Sequence, residues 1–366
     1  IEQFVERLYV TLLGRASDPT GKANHVSSLN NGKTAAEVSA KFVTSAELKN
    51  KKISNDEFVL RMYQTFMNRT PSAKEITRWA TTLENGCTYE YVLKKFVASA
   101  EFKNLCAEYG ITAGTYEPAG NRDYDENITA FVSRMYTTLL GRSFDASGLN
   151  NNAGIIINGG TAADVGKKFV MSGELTNLKL SNDEFVKRMY QTFLNRTPSA
   201  KEITRWATTL ENGCSYGYIL KKFVASAEFN TLCTKYNIKA GEYATTENRD
   251  YNENITAYVS RMYTKALGRS FDIKGLNNNT GRLITGEMTA AEVAEYFILS
   301  KEFVNKKLTD EQYVTTLYSA LFNRAPDASG KKKWLNKLAT GTSREEVLKG
   351  FTTAAEFKNL VKSFGL

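Results

Sequence analysis

Histidine and proline are scarce in this chain: its 366 residues include one histidine, His25, and five prolines. A single histidine excludes a serine–histidine or cysteine–histidine catalytic pair repeated along the chain. The phosphate-binding loop, the dinucleotide fingerprint, G-x-S-x-G and H-E-x-x-H are absent as well. A carboxylate pair for glycoside hydrolysis carries no sequence mark and stays open. These absences favour a protein that is not an enzyme and holds no cofactor or metal, and His25 is expected on the surface of a helix.

Long hydrophobic runs and concentrated basic segments are absent too. No apolar stretch approaches the roughly 18 residues that cross a membrane, and 42% hydrophobic with 24% charged residues is typical of a folded globular protein. The net charge is +9, but the longest basic run is Lys331–Lys333. Elsewhere Lys and Arg alternate with Asp and Glu, whereas nucleic-acid binding needs a concentrated basic stripe. Neither a nucleic-acid partner nor membrane insertion is expected. No signal peptide is visible, but because the sequence opens at Ile1 without a methionine, it is expected to be a mature or otherwise truncated fragment that does not include the targeting signals.

The segment FVERLYVTLLGR near the start of the chain recurs five more times. Its copies end alternately in Gly-Arg and Asn-Arg, and each is followed by a variant of T-A-A-E-V-x-x-x-F-x-x-S-x-E-F. The six copies begin at residues 4, 58, 131, 185, 258 and 313. They define six half-units. Because connections within a pair are short and those between pairs are long and turn-rich, the pairs predict three helical modules, 1–120, 121–247 and 248–366.

Each half-unit has the pattern of helices. In the second one, Phe58, Val59, Met62, Tyr63 and Phe66 form one apolar stripe with the period of an α-helix. Ser or Thr followed three residues later by an acidic residue, the capping box that starts a helix, precedes several segments. No segment alternates apolar and polar residues as a strand does. The predicted fold class is all-α, a tandem helical repeat of three modules, each made of two four-helix half-units.

The four cysteines occupy matching positions in two modules: Cys87 and Cys106, then Cys214 and Cys233. Their spacing lacks the short knuckles or nearby histidines of zinc sites. Both cysteines are replaced together in the third module, which favours disulfide bonds Cys87–Cys106 and Cys214–Cys233 over four reduced thiols. Such bonds indicate an oxidising, extracellular setting.

Three further repeated features are predicted to be structural. An arginine ends the first helix of each half-unit and a glutamate opens the fourth, so the two are expected to form an ion pair between these helices. Trp79, Trp206 and Trp334 fall on apolar helix faces and are expected in the core rather than as platforms for sugars. The aspartate-glycine turns at Asp18, Asp145, Asp272 and Asp327 lack the ligand pattern of a calcium loop and are interpreted as helix caps.

Residues 54–87 and 181–214 differ at only two positions, Leu60/Lys187 and Met67/Leu194. Core packing, capping and a recent duplication explain much of this identity. The polar positions that also repeat are the candidate partner-binding residues: Gln64, Lys74, Thr77, Arg78, Thr81 and Glu84, with Gln191, Lys201, Thr204, Arg205, Thr208 and Glu211. The third module has Ser319, Lys332 and Lys333 in this region, so weaker binding is expected there.

The motifs FVERLYVTLLGRASDPTG and NGKTAAEVSAKFVTSAEL, at their half-unit spacing, resemble the bacterial domain-of-unknown-function family 4214. The resemblance covers all six half-units, although the Asn-Arg half-units lack the glycine before the arginine and Thr70–Ser72 replaces the aspartate loop. It implies helical repeats in a secreted or surface-attached bacterial protein, and it brings no catalytic residues to transfer.

The leading expectation is a secreted or surface-attached, non-catalytic bacterial binding protein. Its repeated helical faces would recognise a host protein, such as an immunoglobulin or a mucin glycoprotein, in a multivalent manner. The alternatives are a carbohydrate or cell-wall binding module appended to a secreted enzyme, and a structural spacer. A glycan site would need exposed aromatic residues, and the candidates are Tyr89, Tyr91, Tyr216 and Tyr218.

Overall fold

Every regular element is helical in the computed structural model, which describes all residues from 1 to 366. The first two half-units contain α1 (Glu2–Arg7), α2 (Pro19–Asn30), α3 (Ala35–Val43), α4 (Ala46–Asn50), α5 (Asn55–Phe66), α6 (Ala73–Glu84), α7 (Tyr89–Val97) and α8 (Ala100–Glu108). The next two contain α9 (Glu126–Arg134), α10 (Ala146–Ile157), α11 (Ala162–Val170), α12 (Gly173–Asn177), α13 (Asn182–Met189), α14 (Ala200–Glu211), α15 (Tyr216–Val224) and α16 (Ala227–Lys235). The last two contain α17 (Glu253–Arg261), α18 (Ile273–Ile284), α19 (Ala290–Ile298), α20 (Lys301–Val304), α21 (Asp310–Leu321), α22 (Ala328–Ala339), α23 (Arg344–Thr352) and α24 (Ala355–Ser363). Four α-helices per half-unit confirm the predicted all-α tandem repeat. None of these helices has the length and apolar character needed to cross a membrane.

The helix starts follow the predicted caps. Thr34 with Glu37, Ser72 with Glu75 and Ser343 with Glu346 form complete capping boxes. At Asp18, Asp145, Asp272 and Asp327, the aspartate side chain accepts the backbone N–H of the glycine three residues later. These bonds satisfy amide groups that have no partner within the helix, so the interpretation of these aspartates as caps is confirmed.

The residue before each repeated arginine has a left-handed backbone conformation, and this requirement explains the Gly-Arg and Asn-Arg alternation. Gly14, Gly141 and Gly268 have φ of 69°, 71° and 69°. The asparagines in the other half-units have φ of 54° at Asn68, 51° at Asn195 and 55° at Asn323. Glycine and asparagine are the residues that tolerate this conformation best. In four half-units the first helix also ends in a π-helical turn, at Leu8–Leu12, Met135–Leu140, Tyr190–Leu194 and Met262–Leu267.

The chain forms two compact units. The first contains Ile1–Phe169 with Asn230–Gly241, and the second contains Val170–Phe229 with Glu242–Leu366. In the first unit, an apolar core of 1–120 combines both half-units, for example Phe4 with Phe58 and Phe102. In the second, a core of 248–366 does the same, for example Tyr258 with Phe357. The division into three modules stays a prediction.

Two extended linkers complete the first unit by capping helices. The backbone N–H groups of Ala35 and Ala36 at the start of α3 donate to the carbonyls of Thr112 and Ala113, at 2.8 and 2.9 Å. Later in the chain, Ala162 and Ala163 at the start of α11 donate in the same way to Lys239 and Ala240, both at 2.9 Å. These bonds explain why residues 230–241 belong to the first unit.

Two sequence predictions about single residues are wrong. His25 is half-buried rather than on the surface, because its ring lies between Tyr9 and Phe42, with centroids 6.2 and 4.7 Å away. The disulfide bonds Cys87–Cys106 and Cys214–Cys233 are not formed, since all four cysteines are free and buried.

The cysteines have separate packing roles. The thiol of Cys87 donates to the carbonyl of Arg122 at 3.7 Å, and the thiol of Cys214 donates to that of Arg249 at the same distance. Cys106 instead packs in the apolar core of the first unit. Burial raises the pKa of Cys106 and Cys214 to about 12, so these thiols are held in the unreactive protonated form.

Candidate functional site

The repeated arginines and glutamates tie helices together, as the sequence predicts. Five pairs form charge-assisted hydrogen bonds: Arg15–Glu47, Arg69–Glu101, Arg196–Glu228, Arg269–Glu302 and Arg324–Glu356. In all six half-units the guanidinium also lies over a tyrosine ring of its own helix, 4.7 to 5.0 Å from the centroid. These partly exposed contacts between helices give the arginines and tyrosines a structural role.

The tryptophans of α6 and α14 are structural as well. The indole N–H groups of Trp79 and Trp206 donate to the hydroxyls of Tyr63 and Tyr190, at 3.3 and 3.1 Å. Both rings are half-buried against the core. Trp334 is half-buried too, with its ring stacked on Phe351 at 4.9 Å.

Most of the predicted partner-binding residues are exposed. In the first copy Lys74, Thr77, Arg78, Thr81 and Glu84 face solvent, and in the second Gln191, Lys201, Thr204, Arg205, Thr208 and Glu211 do. Gln64 is the exception. It is half-buried, and its backbone carbonyl accepts two hydrogen bonds from the guanidinium of Arg7, at 3.1 and 2.9 Å.

Arg78 and Arg205 are exposed but engaged, which gives their repetition a structural cause. Arg78 donates to Glu126 at 2.5 Å and to Thr82 at 2.5 Å, and its guanidinium lies 4.5 Å from the Trp79 ring centroid. In the second copy Arg205 contacts Glu253, Thr209 and Trp206 in the same way. The hydrogen bond to Glu253 raises the pKa of Arg205. Each arginine therefore joins one helix to the start of another, α6 to α9 and α14 to α17.

A polar groove runs along this junction in the second unit. It has a volume of about 440 Å³ and lies between α14 and α17. Its lining comprises Thr204, Arg205, Thr208, Thr209, Asn212, Glu253, Asn254 and Ala257. In the first unit, the same eight residue types stand at the matching positions of α6 and α9: Thr77, Arg78, Thr81, Thr82, Asn85, Glu126, Asn127 and Ala130. We call these the groove residues. The groove brings together three predicted candidates of the second copy, Thr204, Arg205 and Thr208. It leaves out Gln191, Lys201 and Glu211.

An exposed tyrosine precedes the groove residues of α9 and of α17 in the chain. Tyr124 and Tyr251 are 62% and 64% exposed, and each stands two residues before the glutamate that binds the groove arginine. Sequence reasoning missed this residue. The repeated N-R-D-Y before each helix was the available signal, because a tyrosine that follows a short 3-10 turn has no helix face to pack against.

The identity between the two copies is uneven along the surface. Residues 54–86 differ from 181–213 at two positions, and residues 121–130 differ from 248–257 at one. Between these segments, residues 103–120 differ from 230–247 at eleven of eighteen positions. The segments that build the groove have therefore changed least since the duplication.

The four tyrosines considered for a glycan site divide into two pairs. Tyr91 and Tyr218 are only 1% and 2% exposed, so the prediction that they could meet a glycan is wrong. Tyr89 and Tyr216 are half-buried, with one ring face stacked on Phe58 and Phe185 at 3.5 and 3.6 Å. Each lines a separate pocket, of about 300 Å³ and about 340 Å³ respectively.

The third module differs at the positions that match α6 and α14. Lys332 and Lys333 are exposed there and Ser319 is half-buried. Lys333 and Lys337 lie over the Trp334 ring, 5.6 and 5.1 Å from its centroid. In the third module, two lysines thus contact the tryptophan ring, where Arg78 and Arg205 do so in the other copies.

A chain built from a four-helix unit repeated in tandem, with an arginine stacked on a tyrosine in every repeat, is an all-α repeat protein. A family model described as "Domain of unknown function (DUF4214)" matches residues 1–52, 39–106, 166–233, 242–307 and 294–361. The chain belongs to this family. No curated protein matches the sequence.

Proposed function

We propose that this chain is a non-catalytic, multivalent binding protein that is secreted or attached to the bacterial surface. Its partner is a host protein or glycoprotein. The observation that carries the proposal is the groove between α14 and α17, whose eight lining residue types recur at the matching positions of α6 and α9. Each compact unit has its own copy of these residues.

The chemistry of the groove suits recognition rather than reaction. Its one cation and one anion, Arg205 and Glu253, neutralise each other at 2.5 Å. What remains for a partner is a row of hydroxyl and amide groups, from Thr204, Thr208, Asn212 and Asn254. Such groups give directional hydrogen bonds, and an exposed tyrosine at the edge supplies the aromatic anchor that dominates many protein interfaces.

The repetition of the groove favours a partner that presents the same epitope more than once. Two weak sites on one chain gain avidity when a partner engages both. An immunoglobulin is built from paired identical chains and meets this requirement, as does a mucin glycoprotein with tandem repeats. We therefore infer that an immunoglobulin is the first partner to test and a mucin the second.

The test measures binding of the full chain to purified immunoglobulin, to its Fab and Fc fragments, and to purified mucin. The groove-filling variant carries Thr81→Arg and Thr208→Arg, which place a long side chain in both grooves at exposed positions. The matched control is Lys103→Ala, on the surface segment that differs between the copies.

We expect the wild-type chain and the control to bind one of these partners, and the double variant to lose at least tenfold in affinity. An unchanged affinity in the double variant would assign binding to another surface. If neither immunoglobulin nor mucin is bound, the host-partner proposal fails and the chain is better described as a spacer.

A further inference from the structure

A second repeated cavity lies apart from the grooves, at the half-buried tyrosines that begin α7 and α15. In the first unit it is lined by Tyr89 together with Asn55, Thr88, Arg122 and others. In the second unit the lining includes the matching Tyr216, Asn182, Ser215 and Arg249. A half-exposed ring with one face fixed, surrounded by amide, hydroxyl and guanidinium groups, is the composition of a site for a small polar ligand.

The two cavities differ in charge. In the second unit, Arg249 donates from Nε to Glu247 and from Nη1 to the carbonyl of Gly213 at 3.1 Å. In the first unit, Gly120 stands where Glu247 stands, and the guanidinium of Arg122 has neither a hydrogen bond nor an ion pair. Arg122 therefore lines its cavity with a guanidinium that no carboxylate binds directly, although the neighbouring Asp123 interacts with it electrostatically.

Two more lining positions change the charge in the first unit. Lys49, exposed and without an ion pair, lines that cavity, whereas the matching residue of the second is Thr176. Glu90 is the one acidic lining residue, and it already accepts the hydroxyl of Tyr116 at 2.8 Å. The neighbouring Asp123 is buried, and its carboxylate accepts the N–H and hydroxyl of Thr88 at 2.7 and 2.8 Å. The cavity of the first unit thus has two cations that form no ion pair, Arg122 and Lys49, beside one acidic lining residue, Glu90, whose carboxylate is hydrogen-bonded to Tyr116.

The third module shows that the tyrosine and asparagine are not needed for the helical repeat. Arg344 stands at the position of Tyr89 and Asp310 at that of Asn55. Their side chains bind each other at 2.7 Å, and the guanidinium lies 4.9 Å from the centroid of Tyr313, in the place of the stacked tyrosine. In the third module, the ion pair between Arg344 and Asp310 therefore takes the place that Tyr89 and Asn55 have in the first unit.

We propose that the cavity at Tyr89 binds an acidic monosaccharide unit, a sialic or hexuronic acid. The carboxylate of the sugar lies between Arg122 and Lys49, where a charge-assisted hydrogen bond replaces the missing protein partner. The exposed part of the Tyr89 ring packs against the sugar ring, and the side-chain amide of Asn55 binds its hydroxyls. The cavity at Tyr216, whose arginine is already paired, does not select for an acidic sugar.

The test uses ligand-observed NMR and calorimetry on the full chain. The probes are the methyl glycosides of N-acetylneuraminic acid and glucuronic acid, with methyl glucoside and acetate as controls for the carboxylate and for the ring. The variants are Arg122→Gln and its matched control Arg249→Gln. Because the guanidinium of Arg122 has no protein partner, its removal is expected to leave the fold intact, and a thermal melt checks this.

We expect an acidic sugar to bind to the wild-type chain. Arg122→Gln should lower the affinity for this sugar at least about tenfold, and Arg249→Gln should leave it unchanged. Glu90→Gln should tighten binding by removing the one acidic lining group. The proposal is overturned if methyl glucoside or acetate binds as well as the acidic sugars, if Arg122→Gln retains full affinity, or if neither acidic sugar binds. These outcomes are independent of the grooves, because Thr81→Arg and Thr208→Arg leave this cavity unchanged.

Discussion

At the scale of single residues, the repeated arginine stabilises each half-unit through several contacts at once. Arg69 donates to Glu101 at 2.7 Å and to Glu75 at 2.7 Å, and it lies over the ring of Tyr63. Hydrogen bonds to the two glutamates raise the pKa of the guanidinium, which stays charged at every relevant pH. The residue therefore links α5, α6 and α8 within one half-unit.

Arg69→Ala is expected to lower the free energy of unfolding by about 1–2 kcal/mol, because it removes a partly exposed ion-pair network and a cation–π contact. Chemical denaturation of the full chain measures this change. Lys74→Ala, at an exposed residue with no ion pair, is the control and should have almost no effect. Partner binding should persist in Arg69→Ala, since this residue is not part of the groove; a loss of binding with unchanged stability would contradict the structural assignment.

The lowered pKa of Glu75 predicts how the stability of the chain depends on pH. Hydrogen bonds from Arg69 and Ser72 lower the pKa of Glu75 from 4.5 to about 2. A group with a lowered pKa in the folded state contributes stability above its unfolded pKa and loses it as the pH falls toward the folded one. The melting temperature should therefore fall between pH 4.5 and 2, and Glu75→Gln should reduce that fall. Glu84 is exposed and has no ion-pair partner, so Glu84→Gln should have the same dependence of melting temperature on pH as the wild type. Equal pH profiles for the two variants would be evidence against this role of Glu75.

Residue roles were predictable where one local rule decides them, and not where packing decides. The pairing of repeated arginines with glutamates followed from their places at helix ends. The disulfide prediction is wrong because joint replacement of two cysteines in the third module does not require a bond between them. The thiols of Cys87 and Cys106 lie in different surroundings. Tyr91 and Tyr218 stand at matching positions of the two copies, and the sequence alone does not show whether such a tyrosine is exposed. The fold shows that both are buried.

At the scale of helices, the sequence predicts nearly everything that caps and periodicity control. The four helices of each half-unit were predictable, and so were many of their starts at Ser, Thr or Asp. The π-helical turns could not be predicted. They form at the end of the apolar helical stripe, and no sequence motif marks them. The choice of Gly or Asn before each arginine becomes clear only from the positive φ at these positions.

The last helix lacks the cap that its relatives have. Ser45, Ser99 and Ser300 each accept the backbone N–H three residues later, whereas Ala354 at the start of α24 makes no side-chain cap. Ala354→Ser is expected to raise the stability of the second unit by about 1 kcal/mol, because serine satisfies an amide that alanine leaves open. Denaturation of the full chain measures the change.

The reverse substitution provides the matched control for this cap. Ser300→Ala removes the same bond at the start of α20 and should lower stability by a similar amount. If Ala354→Ser has no effect while Ser300→Ala destabilises, the cap position of α24 is not equivalent to the others.

At the scale of the whole molecule, each compact unit contains one copy of the groove residues. The groove joins helices that are far apart in sequence, α6 with α9 and α14 with α17. Periodicity alone placed Thr77, Arg78 and Thr81 on an outer helix face, but it gave no indication of the second wall. Half of each candidate site was therefore predictable, and the other half required the tertiary fold.

The most direct test of this account is the stoichiometry of the complex with the immunoglobulin fragment that binds. Mass photometry or light scattering on the full chain with excess fragment counts the occupied sites. We predict two fragments per wild-type chain, one for Thr81→Arg, one for Thr208→Arg, and none for the double variant. A single fragment on the wild-type chain, or two fragments on the double variant, would contradict the claim that the two grooves are equivalent binding sites.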